Sequence, residues 1–186
     1  IFQRYNFRSK KIFSNIKFVW SVQRERGLSR LIDIWIKKIY PLNLHSELHV
    51  FAIKKNNQKK LKKFNIFFHG RVGRKQLIKF YKKSNGMICL GYDETFCLNA
   101  IEGMKMGLPV VSLGKTALNE LIINNKNGYI ANNLNEIDKP IIKFLKLTNK
   151  KKKKIIKSTL MFASKYDSNK ILQKWDNYLT NKYTND

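Results

Sequence analysis

The sequence predicts an α/β fold in which a doubly wound parallel sheet is covered by helices on both faces. Six short apolar runs recur along the chain, and stretches with helical spacing of apolar residues separate them. The runs are hydrophobic on both faces, as the strands of a buried parallel sheet are. With 186 residues, 43% of them apolar, the chain can bury one sizeable core. The order of elements is therefore Rossmann-like, and ligands of such sheets bind beyond the carboxyl ends of the strands.

Each predicted strand is bounded by turn-forming or polar residues. The apolar runs are IKFVWSV (16–22), ELHVFAI (47–53), NIFFHGRV (65–72), GMICLG (86–91), PVVSLG (109–114) and NGYIANN (127–133). Apolar residues at helical spacing predict the helices between them. These predicted helices cover 30–40, 74–84, 95–106 and 116–125, with a short exposed helix in the lysine-rich stretch 54–63.

The C-terminal part of the chain is expected to be entirely helical. No strand pattern follows residue 133, and three amphipathic segments run to the end of the chain. We therefore expect a Rossmann-like lobe over 16–149 and C-terminal helices over 150–186 that pack on this lobe or cross to another. Trp175 on the last helix is expected to pack, and Trp20 and Trp35 are expected in the core.

The strong positive charge does not by itself predict nucleic-acid binding. The formal charge is +26, from 38 Lys and Arg against 12 Asp and Glu. Lysines occur in almost every polar segment, whereas phosphate contacts need cations gathered on one face and base recognition favours arginine. The lysine runs at 54–63 and 150–154 instead favour peripheral contact with an anionic membrane surface.

The cysteines and histidines are expected to be structural. Cys89 and Cys97 lie in apolar contexts without metal-ligand spacing, which predicts small buried thiols in a reducing compartment. His45, His49 and His69 flank or end strands and form no visible catalytic or metal constellation. No apolar run approaches the ~18 residues of a membrane span, so the expected location is cytoplasmic, peripheral to a membrane.

Two glutamates stand eight positions apart in the nearly uncharged segment ETFCLNAIEGMKMGLPV (94–110). A helix over 95–106 would place Glu94 at its N-terminus and Glu102 two turns inside, about 12 Å along the axis. That separation exceeds the ~5–9.5 Å of glycosidase acid/base pairs. The free amides of residues 96–98 between them would form an anion site. A ligand with hydroxyls, then phosphates, then more hydroxyls fits this layout, as a nucleotide sugar does.

The same segment resembles the signature of the group-one retaining glycosyltransferases, the glycogen-synthase-like enzymes of GT-B architecture. Members of that family typically read Glu-x-Phe-Gly-Leu-x-x-x-Glu-Ala-Met-Ala-x-Gly-x-Pro-Val, and the chain has two glutamates, Phe-x-Leu and Gly-x-Pro-Val at this spacing over 94–110. FHGRVGRKQLIKFYKKSNGMICLG and TALNELIINNKNGYI resemble the flanking segments, and SVQRERGLSRLIDIW with SELHVF resembles the Arg-Gly-Leu branch. The resemblance spans roughly 16–180 and covers the C-terminal donor-binding lobe. The N-terminal acceptor lobe has no counterpart here.

The resemblance implies roles for individual residues. Glu94 would hydrogen-bond the hydroxyls of the transferred sugar, and Glu102 those of the ribose. Arg26, at the family's Lys/Arg-Gly position, would neutralise the departing diphosphate, which makes Glu94 and Arg26 the catalytic residues. The loop Gly70-Arg71-Val72 would lie against the base. The remaining donor-binding segment, whose amides would hold the pyrophosphate, comprises Thr95, Phe96, Cys97 and Leu98.

Further expectations concern cofactors and departures from the family pattern. Enzymes of this kind transfer the sugar with retention and need no metal or other cofactor, so a nucleotide-diphosphate sugar would be the donor. The acceptor would be a glycan, a lipid or a protein. Cys97 replaces the usual glycine, and Trp20 stands where the family often has an arginine.

Other functions fit the sequence less well. A non-catalytic homologue that binds a nucleotide or a partner chain would keep the fold without transfer activity. A sugar-nucleotide epimerase shares the architecture but usually lacks the Glu-x7-Glu helix. A basic nucleic-acid binder would show affinity that falls steeply with salt and is independent of Glu102.

Overall fold

A six-stranded, all-parallel sheet forms the centre of the fold. The computed structural model describes residues 13–22, 27–51, 59–91, 96–114 and 118–183. All six predicted strands are confirmed, each two or three residues shorter than its apolar run. They are β1 (Lys17–Trp20), β2 (Glu47–Phe51), β3 (Ile66–Gly70), β4 (Gly86–Ile88), β5 (Val110–Leu113) and β6 (Gly128–Ala131).

The order of the strands confirms the doubly wound, Rossmann-like topology. It runs β3-β2-β1-β4-β5-β6, so the chain reverses its direction of winding between β1 and β4. These two strands pair through Phe18 with Gly86 and Val19 with Met87. A Cβ at Gly86 would lie 2.8 Å from the Phe18 ring, so glycine permits this close pairing. The reversal opens a crevice beyond the carboxyl ends of β1 and β4, where sheets of this kind bind ligands.

Helices cover both faces of the sheet. The first departs from the predicted helix over 30–40, because an α-helix is followed by a π-helical turn over Trp35–Ile39 and a 3₁₀ turn over Tyr40–Leu42. Further 3₁₀ turns occupy Lys59–Phe64, Leu134–Glu136 and Ser164–Tyr166. The α-helices are α1 (Leu28–Ile34), α2 (Arg74–Lys83), α3 (Leu98–Lys105), α4 (Leu118–Leu121), α5 (Asp138–Lys146), α6 (Asn149–Ala163) and α7 (Ser168–Tyr183).

The fourth helix was predicted over 116–125, but it ends at Leu121, four residues early. The side chain of Asn127 ends it, since Asn127 Nδ2 donates to the Leu121 carbonyl over 2.9 Å and its Oδ1 accepts from the Ile123 amide over 2.7 Å. Asn125 then adopts a left-handed conformation, with φ 65°. Asparagine tolerates that conformation and competes with the helix for backbone hydrogen bonds. The residues that follow Leu121 therefore turn into β6 instead of extending the helix.

The core confirms two predicted tryptophans. Trp20 and Trp35 are fully buried, and their indole nitrogens donate to the carbonyls of Val22 (3.0 Å) and Phe64 (3.1 Å). Phe18 packs edge-on against Trp35 on one face of β1. Both indoles thus contribute a large buried apolar area to the core, and neither leaves its N–H group without a hydrogen bond.

The last helix presents an apolar face to solvent. Trp175 was expected to pack, but it is 58% exposed and contacts only the edge of Tyr178 among the aromatic rings of the described residues. Leu172 and Leu179 on the same helix are also exposed. The preceding helix α6, by contrast, packs against α3, where Lys105 Nζ donates to the Tyr166 carbonyl over 2.8 Å. In the described ranges, no helix combines the length and apolarity needed to cross a bilayer.

Candidate functional site

The candidate site lies where β4 ends and α3 begins. Cys97 immediately precedes α3 and adopts a left-handed conformation, with φ 54° and ψ 67°. The first amides of a helix have no partner within it, and the positive end of the helix dipole lies there. Phe96 and Leu98 on either side of Cys97 are 44% and 57% exposed, whereas Cys97 is 3% exposed. The turn thus buries the Cys97 thiol and leaves Phe96 and Leu98 exposed at the start of the helix, a position at which helices commonly bind anions.

Hydrogen bonds hold this turn beside the end of β1. Asn99 Nδ2 donates to the Ser21 carbonyl over 2.9 Å, which ties the first turn of α3 to the residue after β1. The Ser21 hydroxyl bonds the Tyr81 hydroxyl over 2.6 Å. Burial raises the pKa of Tyr81 well above its usual range, so the phenol stays protonated and can donate. The turn Phe96-Cys97-Leu98, which we call the cradle, is therefore anchored to the end of β1 and, through Ser21, to α2.

The start of α3 corrects one expectation. The helix was predicted over 95–106, with Glu102 two turns inside, but it begins at Leu98, and Glu102 lies about one turn, or ~6 Å, from its start. The left-handed Cys97 prevents an earlier start, because a helix cannot continue through a residue with positive φ. Glu102 is consequently closer to the start of the helix than the sequence suggested.

The carboxylate of Glu102 faces the loop that follows β3. Arg74 Nη2 donates to Glu102 Oε1 over 2.7 Å, and the two side chains are 49% and 23% exposed. Arg74 is the first residue of α2 and follows the loop Gly70-Arg71-Val72. In that loop Gly70 has φ 71°, Arg71 is exposed and Val72 is half-buried. The Arg74–Glu102 bond therefore brings the predicted base-binding loop and the predicted ribose ligand together.

Sequence reasoning did not find Arg74. It lies 28 residues from Glu102, at the start of a different helix, and no periodicity connects the two positions. Asn99 was missed for the same reason, since its partner is a backbone carbonyl 78 residues away.

Three predicted residues lie outside the described residues. Glu94 and Thr95 precede Phe96, and Arg26 precedes Gly27 at the start of α1. Their predicted roles in sugar binding and in neutralising the diphosphate stay predictions.

The two cysteines are buried, as expected. Cys89 is 1% and Cys97 3% exposed, both are reduced thiols, and their sulfurs lie 3.2 Å apart. Within the described part of the chain, no three His, Cys, Asp or Glu side chains are grouped to hold a metal ion.

The histidines form a chain that the sequence did not suggest. His49 Nε2 bonds Glu47 Oε2 over 2.8 Å, His49 Nδ1 bonds His69 Nε2 over 2.8 Å, and Lys17 Nζ lies 2.9 Å from the same Glu47 oxygen. Burial is the main reason that the pKa of His49 is lowered. The chain runs across β1, β2 and β3 beneath Phe80 of α2, and His69 directly precedes Gly70. This chain of hydrogen bonds lies directly before the loop Gly70-Arg71-Val72 and helps to fix where that loop begins.

Fold and site together define a Rossmann-like domain with a helix N-terminus at its switch point and a carboxylate one turn inside that helix. The family model described as glycosyl transferases group 1 matches residues 16–160. The chain belongs to this family of glycosyltransferases, and its sheet and helices match the C-terminal domains of GT-B enzymes.

Individual relatives agree with that assignment. An uncharacterised glycosyltransferase of Methanocaldococcus jannaschii is 26% identical over 136 residues, which are 69% of this chain and 37% of the relative. The chain thus spans well under half of that relative's length.

Solved structures show the fold. A Staphylococcus aureus TarM variant, solved with UDP, is similar over 95% of this chain and 37% of its own, with a TM-score of 0.73 at 18% identity. The C-terminal domain of a group 1 glycosyl transferase (LpcC) from Francisella tularensis is similar over 83% of this chain and 87% of its own, with a TM-score of 0.68 at 18% identity.

Proposed function

We propose that this domain is the donor-binding lobe of a retaining, metal-independent glycosyltransferase that uses a nucleotide-diphosphate sugar. The observation that carries the proposal is the turn at Phe96-Cys97-Leu98, which begins α3 beside the switch point, one helical turn from Glu102, with Phe96 and Leu98 exposed. A TarM structure with the same fold contains UDP. In our proposal the diphosphate accepts hydrogen bonds from the amides of this turn, and the helix dipole stabilises its charge.

The proposed role of Glu102 is to accept hydrogen bonds from the ribose hydroxyls. A carboxylate offers about four lone-pair positions, so the bond from Arg74 leaves Glu102 able to bind two vicinal hydroxyls. Arg74 acts as a positioning residue, because its short bond to Oε1 fixes the side-chain rotamer before the donor arrives. The neighbouring loop Gly70-Arg71-Val72 contacts the base.

In the transfer step, different residues act on the sugar and on the diphosphate. Glu94 orients the transferred sugar, and Arg26 with the amides of the turn stabilises the diphosphate as its bond to the anomeric carbon breaks. These contacts strengthen as charge develops on the leaving oxygen, so they lower the barrier without a metal ion. A sugar transferred to the face that the diphosphate leaves keeps its anomeric configuration.

The acceptor, a glycan, a lipid or a protein, would bind between this lobe and a second one. The exposed apolar face of α7, formed by Leu172, Trp175, Tyr178 and Leu179, is the surface of this domain that we assign to the second lobe. We place the enzyme in the cytoplasm, where nucleotide sugars are made, at the surface of a membrane.

Donor binding is tested by calorimetry with UDP, GDP, ADP and their common sugar conjugates at physiological salt. Glu102→Ala is compared with Glu120→Ala, which removes an exposed carboxylate on α4. We expect one nucleotide to bind the parent and the Glu120 variant alike, and to bind the Glu102 variant at least about tenfold more weakly, the cost of a charged hydrogen bond. Absence of binding, or equal binding of all polyanions in all three proteins, would contradict the proposal.

Retention is tested on a protein that carries both lobes, by the anomeric NMR signals of its product. A product with the configuration of the donor supports the proposal. An inverted product, or activity abolished by a chelator and restored by a divalent cation, contradicts it. A protein that binds donor normally but transfers nothing to any acceptor would favour the non-catalytic alternative.

A further inference from the structure

A groove of about 380 Å³ lies on the opposite side of the domain from the cradle. Four separate segments form it: the turn before β6, the strand β6 itself, α5 and the first half of α6. Its floor is apolar, and its rim is basic. The residues that line it include Lys126, Tyr129, Lys143, Leu147, Lys151 and Lys154.

The position of the groove follows from the topology. Lys126 lies in the turn that precedes the first residue of β6, so it marks the amino-terminal edge of the sheet. Helix α5 follows β6 and packs back along it, and Leu147 directly after its last turn reaches the same edge. The donor cradle lies at the carboxyl edge. An anion bound in the groove would therefore be distinct from the diphosphate of the donor.

The lysines of the groove converge from different parts of the fold. Lys126 comes from a turn, Lys143 from α5, and Lys151 and Lys154 from α6. A second lysine-lined groove offers the comparison, because its basic residues all belong to one face of α2. Lysines on one helix face are an ordinary solvated surface, whereas convergence of four lysines over an apolar floor gathers charge at one place.

Among the described residues, no acidic side chain forms an ion pair with the lysines of the groove. Lys143 donates to the neutral Asn125 Oδ1 over 2.8 Å and lies 5.7 Å from the centre of the Tyr129 ring. The four ammonium groups therefore repel one another until an anion enters.

The start of α6 adds to this positive potential. The helix begins with Asn149 and five consecutive lysines, and its first turn has no acidic residue. Helix N-termini favour acidic side chains, because the positive end of the dipole lies there. Lys151 sits in this unfavourable position and faces the groove. An anion in the groove would relieve the repulsion by both the dipole and the neighbouring lysines.

We propose that this lysine groove binds the phosphomonoester headgroups of anionic lipids and so docks the amino edge of the sheet on a membrane. Lysine presents a compact point charge, which suits a phosphate at a fluid surface, and the groove has no arginine fork for a planar, bidentate ligand. Lys150, Lys153 and Lys157 on α6 are exposed beyond the groove and extend the basic surface. The donor edge then faces the cytoplasm. The proposal does not depend on the proposed donor site.

The test compares two variants that each lose three lysines. The groove variant carries Lys126→Gln, Lys151→Gln and Lys154→Gln and keeps Lys143 with its contacts. The control variant carries substitutions on α2, Lys75→Gln, Lys79→Gln and Lys83→Gln. Both leave the same net charge, and all six lysines are exposed. Circular dichroism and thermal unfolding establish that both variants are folded.

Binding is measured by co-sedimentation at physiological salt with vesicles of phosphatidylcholine and phosphatidic acid. Vesicles with phosphatidylserine at matched surface charge form a second arm. Direct binding of, and competition by, free glycerol phosphate and single-stranded RNA form a third and a fourth arm. We expect the groove variant to bind phosphatidic-acid vesicles about tenfold or more weakly, and the control variant less than about twofold more weakly. The parent should prefer phosphatidic acid over phosphatidylserine.

Three results would overturn the proposal. Equal losses in the two variants would show that total charge alone drives binding. Groove-dependent binding of glycerol phosphate without vesicle binding would assign the site to a soluble ligand. Groove-dependent binding of single-stranded RNA without vesicle binding would assign it to nucleic acid.

Discussion

The left-handed Cys97 offers a direct test of the cradle. With φ 54°, the residue occupies a conformation that glycine adopts freely and other residues adopt at a cost. Its side chain is buried, with the sulfur 3.2 Å from that of Cys89. We expect Cys97→Gly to leave the stability nearly unchanged, and Cys97→Val to lower it strongly.

The magnitudes follow from opposing contributions. Glycine removes a left-handed strain of about 1–2 kcal/mol, but it loses about 0.5–1 kcal/mol through the entropy of the unfolded chain and about 0.8 kcal/mol of buried side chain, so the sum lies near zero. Valine is β-branched, and the strain of a non-glycine residue in this region is about 1–3 kcal/mol. Its second methyl also meets Cys89 in a packed core, which costs about 1–3 kcal/mol. Much of the backbone strain is already present in the parent, so the expected loss for valine is about 3 kcal/mol.

Urea unfolding of the parent and both variants measures these differences. With a urea dependence of about 1–3 kcal/mol/M, a loss of 3 kcal/mol lowers the midpoint by roughly 1–3 M. Nucleotide affinity of the folded Gly variant should match or exceed the parent's, because glycine keeps the turn and brings the backbone amides closer to the ligand. If the Val variant is within about 1 kcal/mol of the Gly variant, Cys97 does not hold the conformation on which the cradle depends.

Two further predictions concern the sheet. Gly128→Ala should lower the stability by about 3 kcal/mol or more, since its Cβ would lie 2.2 Å from a backbone carbonyl of β5, whereas Gly73→Ala, with no atom within 4 Å, should change it by less than about 1 kcal/mol. Equal urea midpoints for the two would refute the packing of β5 against β6. Burial lowers the pKa of His49, so the unfolded chain takes up the proton first and stability should fall as the pH drops below about 6.5. Between pH 7.5 and 5.5, the free energy of unfolding of His49→Gln should fall less with decreasing pH than that of the parent. A fall as steep as the parent's would show that His49 is not the group responsible.

The sheet could be predicted because its signal is local. Every strand except β3 is almost wholly buried, so a run of apolar residues such as KFVW in β1 identifies it without knowledge of its neighbours. The parallel pairing of the strands followed from the helical connections between them, whereas their order was seen only in the structure. Helix ends were predicted less well where a polar side chain intervenes. Asn127 ends α4 from six residues away, and nothing in its own neighbourhood distinguishes it from the many other asparagines of this chain.

The candidate site could be predicted only in part for a related reason. The glutamate spacing around α3 is local and was visible, and so was the presence of a helix there, although its start at Leu98 was not. The bond between Arg74 and Glu102 joins two helices that no sequence period relates. The contact of His49 with His69 likewise depends on the pairing of β2 with β3 in one particular register.

The composition of this chain gives its total positive charge but does not show where lysines gather on the folded surface. Because lysines occur in almost every polar segment of the sequence, they indicate a solvated surface, and that interpretation argued against nucleic-acid binding. Folding changes their distribution, because Lys126, Lys143, Lys151 and Lys154 belong to three segments that meet at one edge of the sheet. Binding of anions depends on the charge density at one place, which the net charge of +26 cannot report. The groove variant and the α2 control variant each lose three positive charges, so they have the same total charge. A difference between them in vesicle binding therefore reports the local charge density in the groove, which the sequence alone does not give.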